Sequence, residues 1–168
     1  MKVLVQRCDK ASVTVNNEVV GKIDKGMMIL VGFTETDTSE NIDYMVEKVL
    51  NLRIYDDESG IMNKSILDVG GSILSVSQFT LYADTKKGRR PSYVNALNGE
   101  KATLLYDEFN EKLKKQIHIE TGIFGAEMKV ELVNDGPVTI MLEKWSKRSF
   151  FLLHKYIWKN AKYIYIII

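Results

Sequence analysis

Apolar and polar residues alternate along the first part of the chain, in the pattern of strands that bury one face. The alternation covers residues 3–5, 12–15 and 18–23. Residues 27–33 follow as a continuous apolar run, which is typical of a strand that is buried on both faces. These segments predict that a sheet forms early in the chain, from strands joined by short turns.

Two other segments carry their apolar residues at helical spacing. In residues 42–50 the apolar positions recur every three or four residues, and Asp37 or Thr38 can cap the helix that this spacing predicts. Residues 102–113 repeat the pattern, with lysines on the opposite side. The sequence therefore predicts two amphipathic helices, each with one face turned towards a core.

Further short runs complete the predicted sheet. They are residues 52–55, 73–76, 128–133 and 138–142. Because most connections have hairpin length, roughly eight strands and two helices favour an α+β fold. We expect its sheet to be largely antiparallel, or to curl into a partly closed β-barrel.

The composition is that of an ordinary globular domain and excludes few classes of function. The chain has 168 residues, 45% hydrophobic and 27% charged, with a net charge of +1. Such a charge creates no global field for nucleic acid, so any such contact must be local. Cys8 is the single cysteine, and the first residues become polar too early for a signal peptide. The expected location is the cytoplasm.

The composition changes after Glu143. No acidic residue follows it, and the end of the chain is apolar with scattered cations. These cations interrupt the apolar runs, which fall short of the roughly 20 apolar residues of a membrane span. We therefore expect one domain over residues 1–147, a separate tail over residues 148–168, and no membrane partner. A basic amphipathic surface segment is the open alternative for the tail.

The residue inventory argues against a metal centre and against a histidine-activated nucleophile. His118 and His154 are the only histidines, and with Cys8 they are too few for a site of imidazole and thiolate ligands. Ser77 lacks the flanking glycines of a nucleophile elbow, and His118 lies in a lysine-rich setting. The glycine pair at residues 70–71 precedes a strand instead of following one, so we expect no nucleotide cofactor.

Small polar groups follow two of the predicted strands. Residues 77–80 come directly after one strand, and Gly136 and Pro137 separate the last two. A core does not require hydroxyls, an amide or a proline at these places, and proline cannot donate to a sheet ladder. Strand ends of this kind can present backbone N–H and C=O groups as a site. A plain strand end and a plain turn remain the alternatives.

Four cations lie close together in the loop before the second helix: Lys86, Lys87, Arg89 and Arg90. Such a run is usually a solvated turn. It can also bind a few phosphates, which would make binding depend on salt without reading any sequence. The residues alone leave both interpretations open.

Taken together, these residues resemble the D-aminoacyl-tRNA deacylases, proofreading enzymes also called D-tyrosyl-tRNA deacylases. The resemblance extends from residue 1 to about residue 145, and nothing after about residue 147 has a counterpart. It rests on five segments in the family's order: residues 5–7, 77–84, 86–92, 121–128 and 134–139.

The resemblance implies hydrolysis of the ester between a D-amino acid and the terminal ribose of tRNA. It also implies a homodimer with active sites at the subunit interface. We expect no metal and no cofactor. The catalytic residues would be consecutive: Ser77, Gln78, Phe79 and Thr80. They would meet Gly136 and Pro137 of the other subunit, joined by a cis bond whose carbonyl groups exclude an L side chain.

Other residues take supporting roles in this interpretation. Arg7 would brace the Gly-Pro loop, Phe124 would contribute to the substrate site, and the loop cations would contact tRNA phosphates. An aminoacyl ester with a neighbouring 2′-OH needs mainly positioning and donors for the developing oxyanion. Backbone N–H groups near Phe79 and Thr80 would supply those donors, so no catalytic histidine is required.

Two alternatives stay open. Thr80 could be the covalent nucleophile of an esterase that acts on other acyl esters. The chain could instead bind the acceptor end of tRNA without catalysis, through the loop cations.

Overall fold

The computed structural model describes residues 1–144. The predicted tail at residues 148–168 lies outside the described residues. No helix among residues 1–144 is long and apolar enough to cross a membrane.

The described residues form a mixed sheet with helices packed against it. The strands and helices in chain order are β1 (Lys2–Val15), β2 (Glu18–Ile23), β3 (Gly26–Gly32), α1 (Ser39–Leu50), β4 (Tyr55–Asp56), β5 (Met62–Lys64), α2 (Ile66–Val69), β6 (Ser72–Ser77), a 3₁₀ helix (Phe79–Tyr82), α3 (Gly99–Lys114), β7 (Ile119–Thr121) and β8 (Lys129–Glu143).

The long strand β1 organises the sheet. It pairs antiparallel with β8 on one side, and with β3 and then β2 on the other. Beyond β3 the pairing becomes parallel, first with β6 and then from β6 to β7. The predicted α+β fold with a largely antiparallel sheet is confirmed, and two parallel pairings extend it.

The sheet curls until its two ends nearly meet. Gly21 of β2 lies so close to β7 that a Cβ atom placed on it would be 2.9 Å from the Thr121 carbonyl oxygen. A side chain there would push the two strands apart, so glycine permits the close approach. This curl produces the partly closed barrel that the sequence predicts.

Buried side chains form two clusters. One joins α1 and α3 to β1 and β3, and the other is formed by side chains of β1, β2, β3 and β6. Strand β3 contributes to both: Ile29 belongs to the first cluster and Met28 to the second. The continuous apolar run of this strand therefore reflects burial on both faces, as predicted.

The two predicted amphipathic helices are confirmed as α1 and α3. Thr38 is the N-cap residue of α1, and its backbone N–H donates to Asn41 Oδ1 at 3.2 Å. Asp37, the other predicted cap, instead accepts a hydrogen bond from the Met1 ammonium group at 2.6 Å, where both groups are fully buried.

Two predicted strands differ from the structure. Of residues 52–55, only Tyr55 enters a strand, and the Ile54 carbonyl before it accepts a hydrogen bond from Arg7 Nη1 at 2.6 Å. The two closing strands are one strand, β8, since its ladder with β1 resumes on both sides of the Gly-Pro unit.

Candidate active site

A 3₁₀ helix follows the end of β6 and exposes backbone donors. The Gln78 N–H donates to the Val31 carbonyl at 2.7 Å, and the Leu81 N–H donates back to the Gln78 carbonyl at 3.4 Å. The N–H groups of Phe79 and Thr80 lie at the start of this helix, where no helical carbonyl can accept them. Two neighbouring donors therefore point away from the helix.

Gly32, the last residue of β3, allows this helix to pack closely. A Cβ atom at Gly32 would lie 2.9 Å from the Gln78 carbonyl oxygen and 3.3 Å from Leu81 Cβ. Real Cβ atoms do not come so close to backbone oxygen, so any larger residue must displace the segment. The position of residues 78–80 thus depends on a glycine in a neighbouring strand.

A cavity of about 490 Å³ opens beside this segment. It lies between the ends of β3 and β6, the start of α3 and the loop before β8. None of its lining residues is ionisable. They are Val31, Gly32, Phe33, Val76, Ser77, Gln78, Phe79, Leu97, Asn98, Gly99, Ala102, Phe124, Gly125, Ala126, Met128 and Val130.

The cavity brings together four of the predicted site residues: Ser77, Gln78, Phe79 and Phe124. Tyr106 positions the ring of Phe124, with the two ring centroids 5.8 Å apart. The Tyr106 hydroxyl donates to the Ser75 carbonyl at 2.8 Å, and burial raises the pKa of this phenol. Tyr106 is thus a neutral support for one wall of the cavity.

Thr80 is not among the residues that line the cavity. Its hydroxyl accepts a hydrogen bond from Gln78 Nε2. His118 does not line the cavity either, since its side chain is 64% exposed and lies 3.3 Å from Glu120. Burial raises the pKa of the Cys8 thiol to about 11, so this cysteine is not a thiolate at neutral pH.

The Gly-Pro unit forms a bulge elsewhere on the surface, outside this cavity. Gln6 pairs with Thr139 and Cys8 pairs with Asn134, so Arg7 alone faces residues 135–138. The extra residues leave the ladder, and Gly136 and Pro137 are exposed. The bond between them is cis, as the resemblance implies.

Arg7 is buried beneath the bulge. Its Nε atom lies 2.8 Å from Asp135 Oδ2, and its Nη1 atom donates to the Ile54 carbonyl at 2.6 Å. Asp56 Oδ1 lies 3.8 Å from the same Nη1 atom. One guanidinium group therefore links the bulge to the segment before and within β4.

Asn134 closes the base of the bulge; it begins one of the five segments of the resemblance, but no role was predicted for its side chain. Its Nδ2 atom donates to the carbonyls of Arg7 at 2.8 Å and Val138 at 3.1 Å. Its Oδ1 atom accepts from Gln6 Nε2 at 3.2 Å and from Thr139 Oγ1 at 3.1 Å. An asparagine directly before a strand break is the signal that could have found it, because its side chain often replaces backbone partners.

The four loop cations are exposed. Two backbone hydrogen bonds between Asp84 and Ser92, 2.7 and 2.9 Å long, close the loop that carries them. The Lys86 N–H donates to Asp84 Oδ1 at 2.9 Å and tightens the turn. Within residues 1–144, none of the four cations forms an ion pair, and no cluster of three or more histidine, cysteine or acidic side chains could hold a metal.

Comparison with known proteins identifies the family. The sequence model described as D-Tyr-tRNA(Tyr) deacylase matches residues 4–143. The chain belongs to this family. A D-aminoacyl-tRNA deacylase of Listeria monocytogenes serotype 4a (strain HCC23) is 57% identical over 150 residues, which are 89% of this chain and 99% of that protein. A relative of the same name from Bacillus velezensis is 56% identical, over 85% of this chain and 98% of that protein.

Solved structures agree with the family's fold. A protein named c-Myc DNA Unwinding Element Binding Protein is 44% identical, with a TM-score of 0.83 over 87% of this chain and 100% of that chain. A probable eukaryotic D-amino acid tRNA deacylase is 20% identical and has a TM-score of 0.73 over 84% of this chain and 97% of that one. The second likeness concerns the fold alone.

Proposed function

We propose that this protein hydrolyses the ester bond of D-aminoacyl-tRNA and releases the free D-amino acid and tRNA. Membership of a deacylase family, with relatives of that name at 57% and 56% identity, supports the reaction class. The observation that carries the mechanism is the cavity beside Phe79, whose lining includes no ionisable side chain. Without an acid or base in its lining, such a cavity favours chemistry by backbone groups, water and the substrate itself.

The substrate suits a site of this kind. Water adds to the acyl carbon, the bond to the ribose oxygen breaks, and that oxygen takes up the proton that water gives up. We assign the donors for the oxyanion that forms between these steps to the backbone N–H groups of Phe79, which lines the cavity, and of Thr80, the next residue of the 3₁₀ helix. The neighbouring 2′-OH of the ribose can relay the proton, which replaces a side-chain base. Ser77 and Gln78 shape the cavity around the ester.

The rival esterase with Thr80 as covalent nucleophile has less support. A nucleophilic hydroxyl needs a base within hydrogen-bond reach. The Thr80 hydroxyl instead accepts a hydrogen bond from Gln78, and no ionisable residue lines the neighbouring cavity. We therefore assign Thr80 to the catalytic segment through its backbone and not through its hydroxyl.

We further propose that chirality is selected by the Gly-Pro bulge of a partner subunit. Gly136 and Pro137 are exposed and do not line the cavity of their own chain. A second copy can bring them there, which requires a homodimer with two equivalent sites. A carbonyl oxygen held against the substrate's α-carbon leaves room for hydrogen and none for an L side chain. Arg7, which is buried beneath the bulge, would keep it in place.

The exposed surface of strand β8 supports such a dimer. None of its residues is fully buried, and within residues 1–144 it pairs with β1 alone. Val133 and Met141 are 45% and 43% exposed on its outer side. Apolar side chains on an exposed edge strand favour contact with another chain.

The acceptor end of tRNA would approach along the basic loop. Lys86, Lys87, Arg89 and Arg90 are exposed and make no ion pair within residues 1–144, so they are free to contact phosphates. This contact also fits a module that binds tRNA without catalysis. We place the enzyme in the cytoplasm, where its substrate is expected, and its domain within residues 1–147.

Hydrolysis rates of matched D- and L-aminoacyl-tRNA pairs test the proposal. We expect D-alanyl- and D-tyrosyl-tRNA to be hydrolysed and their L forms to be spared by orders of magnitude, because exclusion does not depend on the D side chain. Equal rates for D- and L-alanyl-tRNA would refute the chiral filter. Tight binding without any ester turnover would favour the non-catalytic module.

A further inference from the structure

Two exposed aromatic rings lie together at the mouth of the cavity. The ring centroids of Phe79 and Tyr93 are 5.1 Å apart, in an edge-to-face arrangement. Phe79 is 45% exposed and Tyr93 is 38% exposed, although both are large apolar rings. Phe79 also lines the cavity, so this pair, which we call the aromatic ledge, continues the cavity wall outwards.

The aromatic ledge is connected to both the cavity and the basic loop. Tyr93 directly follows Ser92, whose backbone hydrogen bonds with Asp84 close that loop. The four unpaired cations lie between Phe79 and Tyr93 along the chain, so both ends of the loop lead to the ledge. Phe79 also lines the cavity, so this pair of rings adjoins the cavity and the loop that carries the cations.

We propose that the aromatic ledge stacks an unpaired base of the RNA strand next to the nucleotide that carries the ester. This inference rests on the proposed function and adds a base-binding site to it. Proteins that hold single-stranded nucleic acid combine aromatic platforms for the bases with a basic groove for the backbone. Here the cations beside the ledge favour a polyanion over a second copy of the chain. Stacking accepts any base, so this site would add affinity without sequence preference.

A comparison of two substrates distinguishes base binding at the aromatic ledge from ester hydrolysis in the cavity. D-aminoacyl-tRNA has bases beyond the terminal nucleoside, whereas a D-aminoacyl ester of adenosine ends there. We expect Tyr93→Ala to raise KM for the tRNA substrate about five- to a hundredfold. It should leave kcat for tRNA and both constants for the adenosine ester near the wild-type values. Tyr93→Phe keeps the ring and should behave like the wild type. Tyr44→Ala removes a 40% exposed tyrosine on α1 and should leave KM and kcat for both substrates unchanged.

Several results would overturn the inference. An equal loss with both substrates would mean that Tyr93 only supports Phe79. No loss with either substrate would mean that the ring does not contact RNA. A dimer that dissociates in light scattering after Tyr93→Ala would show that a second copy covers the ledge.

A binding measurement tests the aromatic ledge independently of the proposed hydrolysis. If the wild-type protein hydrolyses neither ester, the proposed function fails. Affinity for a short single-stranded RNA ending in CCA then still tests the ledge. Tyr93→Ala must weaken that binding five- to a hundredfold, and Tyr93→Phe must not; equal affinities would reject the site.

Discussion

At the residue scale, the environment of each polar group decides whether it can take part in the reaction. The Thr80 hydroxyl accepts a hydrogen bond from Gln78, and no acid or base lines the cavity next to it. Asn134 uses both of its side-chain donors on backbone carbonyls of the bulge. These contacts support our proposals that Thr80 acts through its backbone and that Asn134 holds the bulge in place.

The first prediction concerns the Thr80 hydroxyl. Thr80→Ala keeps the backbone N–H and should retain activity within about 100-fold of the wild type, because the hydroxyl is not the nucleophile. Thr80→Ser serves as the conservative control. Single-turnover rates on D-aminoacyl-tRNA measure the effect. A loss near the roughly 10⁶-fold seen on removing a true nucleophile would restore the esterase interpretation.

The second prediction concerns Asn134. Asn134→Asp replaces the Nδ2 donor with a carboxylate oxygen. That oxygen would face the carbonyl oxygens of Arg7 and Val138, which lie 2.8 and 3.1 Å from Nδ2 in the wild type. We expect a loss of about 2–4 kcal/mol in the free energy of unfolding, measured in urea, and a lower ratio of D to L hydrolysis. Asn17→Asp, in an exposed turn, should leave both unchanged. An unaltered D/L ratio in the Asn134 variant would mean that this side chain does not position the filter.

At the scale of elements, contacts between strands that are distant in sequence position the site. Helices α1 and α3 and the buried strand β3 follow from apolar spacing, which is a local signal. Apolar spacing does not predict the parallel pairing of β3 with β6 or the bulge opposite Arg7. Periodicity carries no information about strand order or about a break in register. Of the cavity lining, which depends on both strand ends and on Gly32, only Ser77, Gln78, Phe79 and Phe124 were therefore predictable.

The third prediction tests how the 3₁₀ helix depends on β3. Gly32→Ala places a Cβ atom 2.9 Å from the Gln78 carbonyl oxygen and must shift the neighbouring donors. We expect kcat to fall about 10- to 100-fold, since small misplacements of catalytic groups are costly. Gly71→Ala is a matched control, because its Cβ atom would lie 3.0 Å from Ile66 Cγ1, outside the cavity lining. Similar losses in both variants would indicate general destabilisation instead.

At the scale of the whole molecule, the two parts of the proposed site lie on separate surfaces of one chain. The cavity has its donors and an aromatic wall but no part of the Gly-Pro bulge. The bulge is exposed on another part of the sheet, within β8. A two-fold dimer can join each cavity to the bulge of its partner. Such a dimer would account for a chain whose sequence predicts both parts of the site and whose fold keeps them apart.

Complementation between two inactive variants tests this central claim most directly. Ala126→Trp fills the cavity, and Gly136→Val distorts the bulge because its Cβ atom would lie 2.8 Å from Val138 Cγ2. Each variant alone should have little activity on D-aminoacyl-tRNA. Coexpression should restore about a quarter of the wild-type activity per subunit, since half of randomly paired dimers contain one site with both halves intact. A coexpressed mixture that is no more active than its separate components would contradict a site shared between subunits.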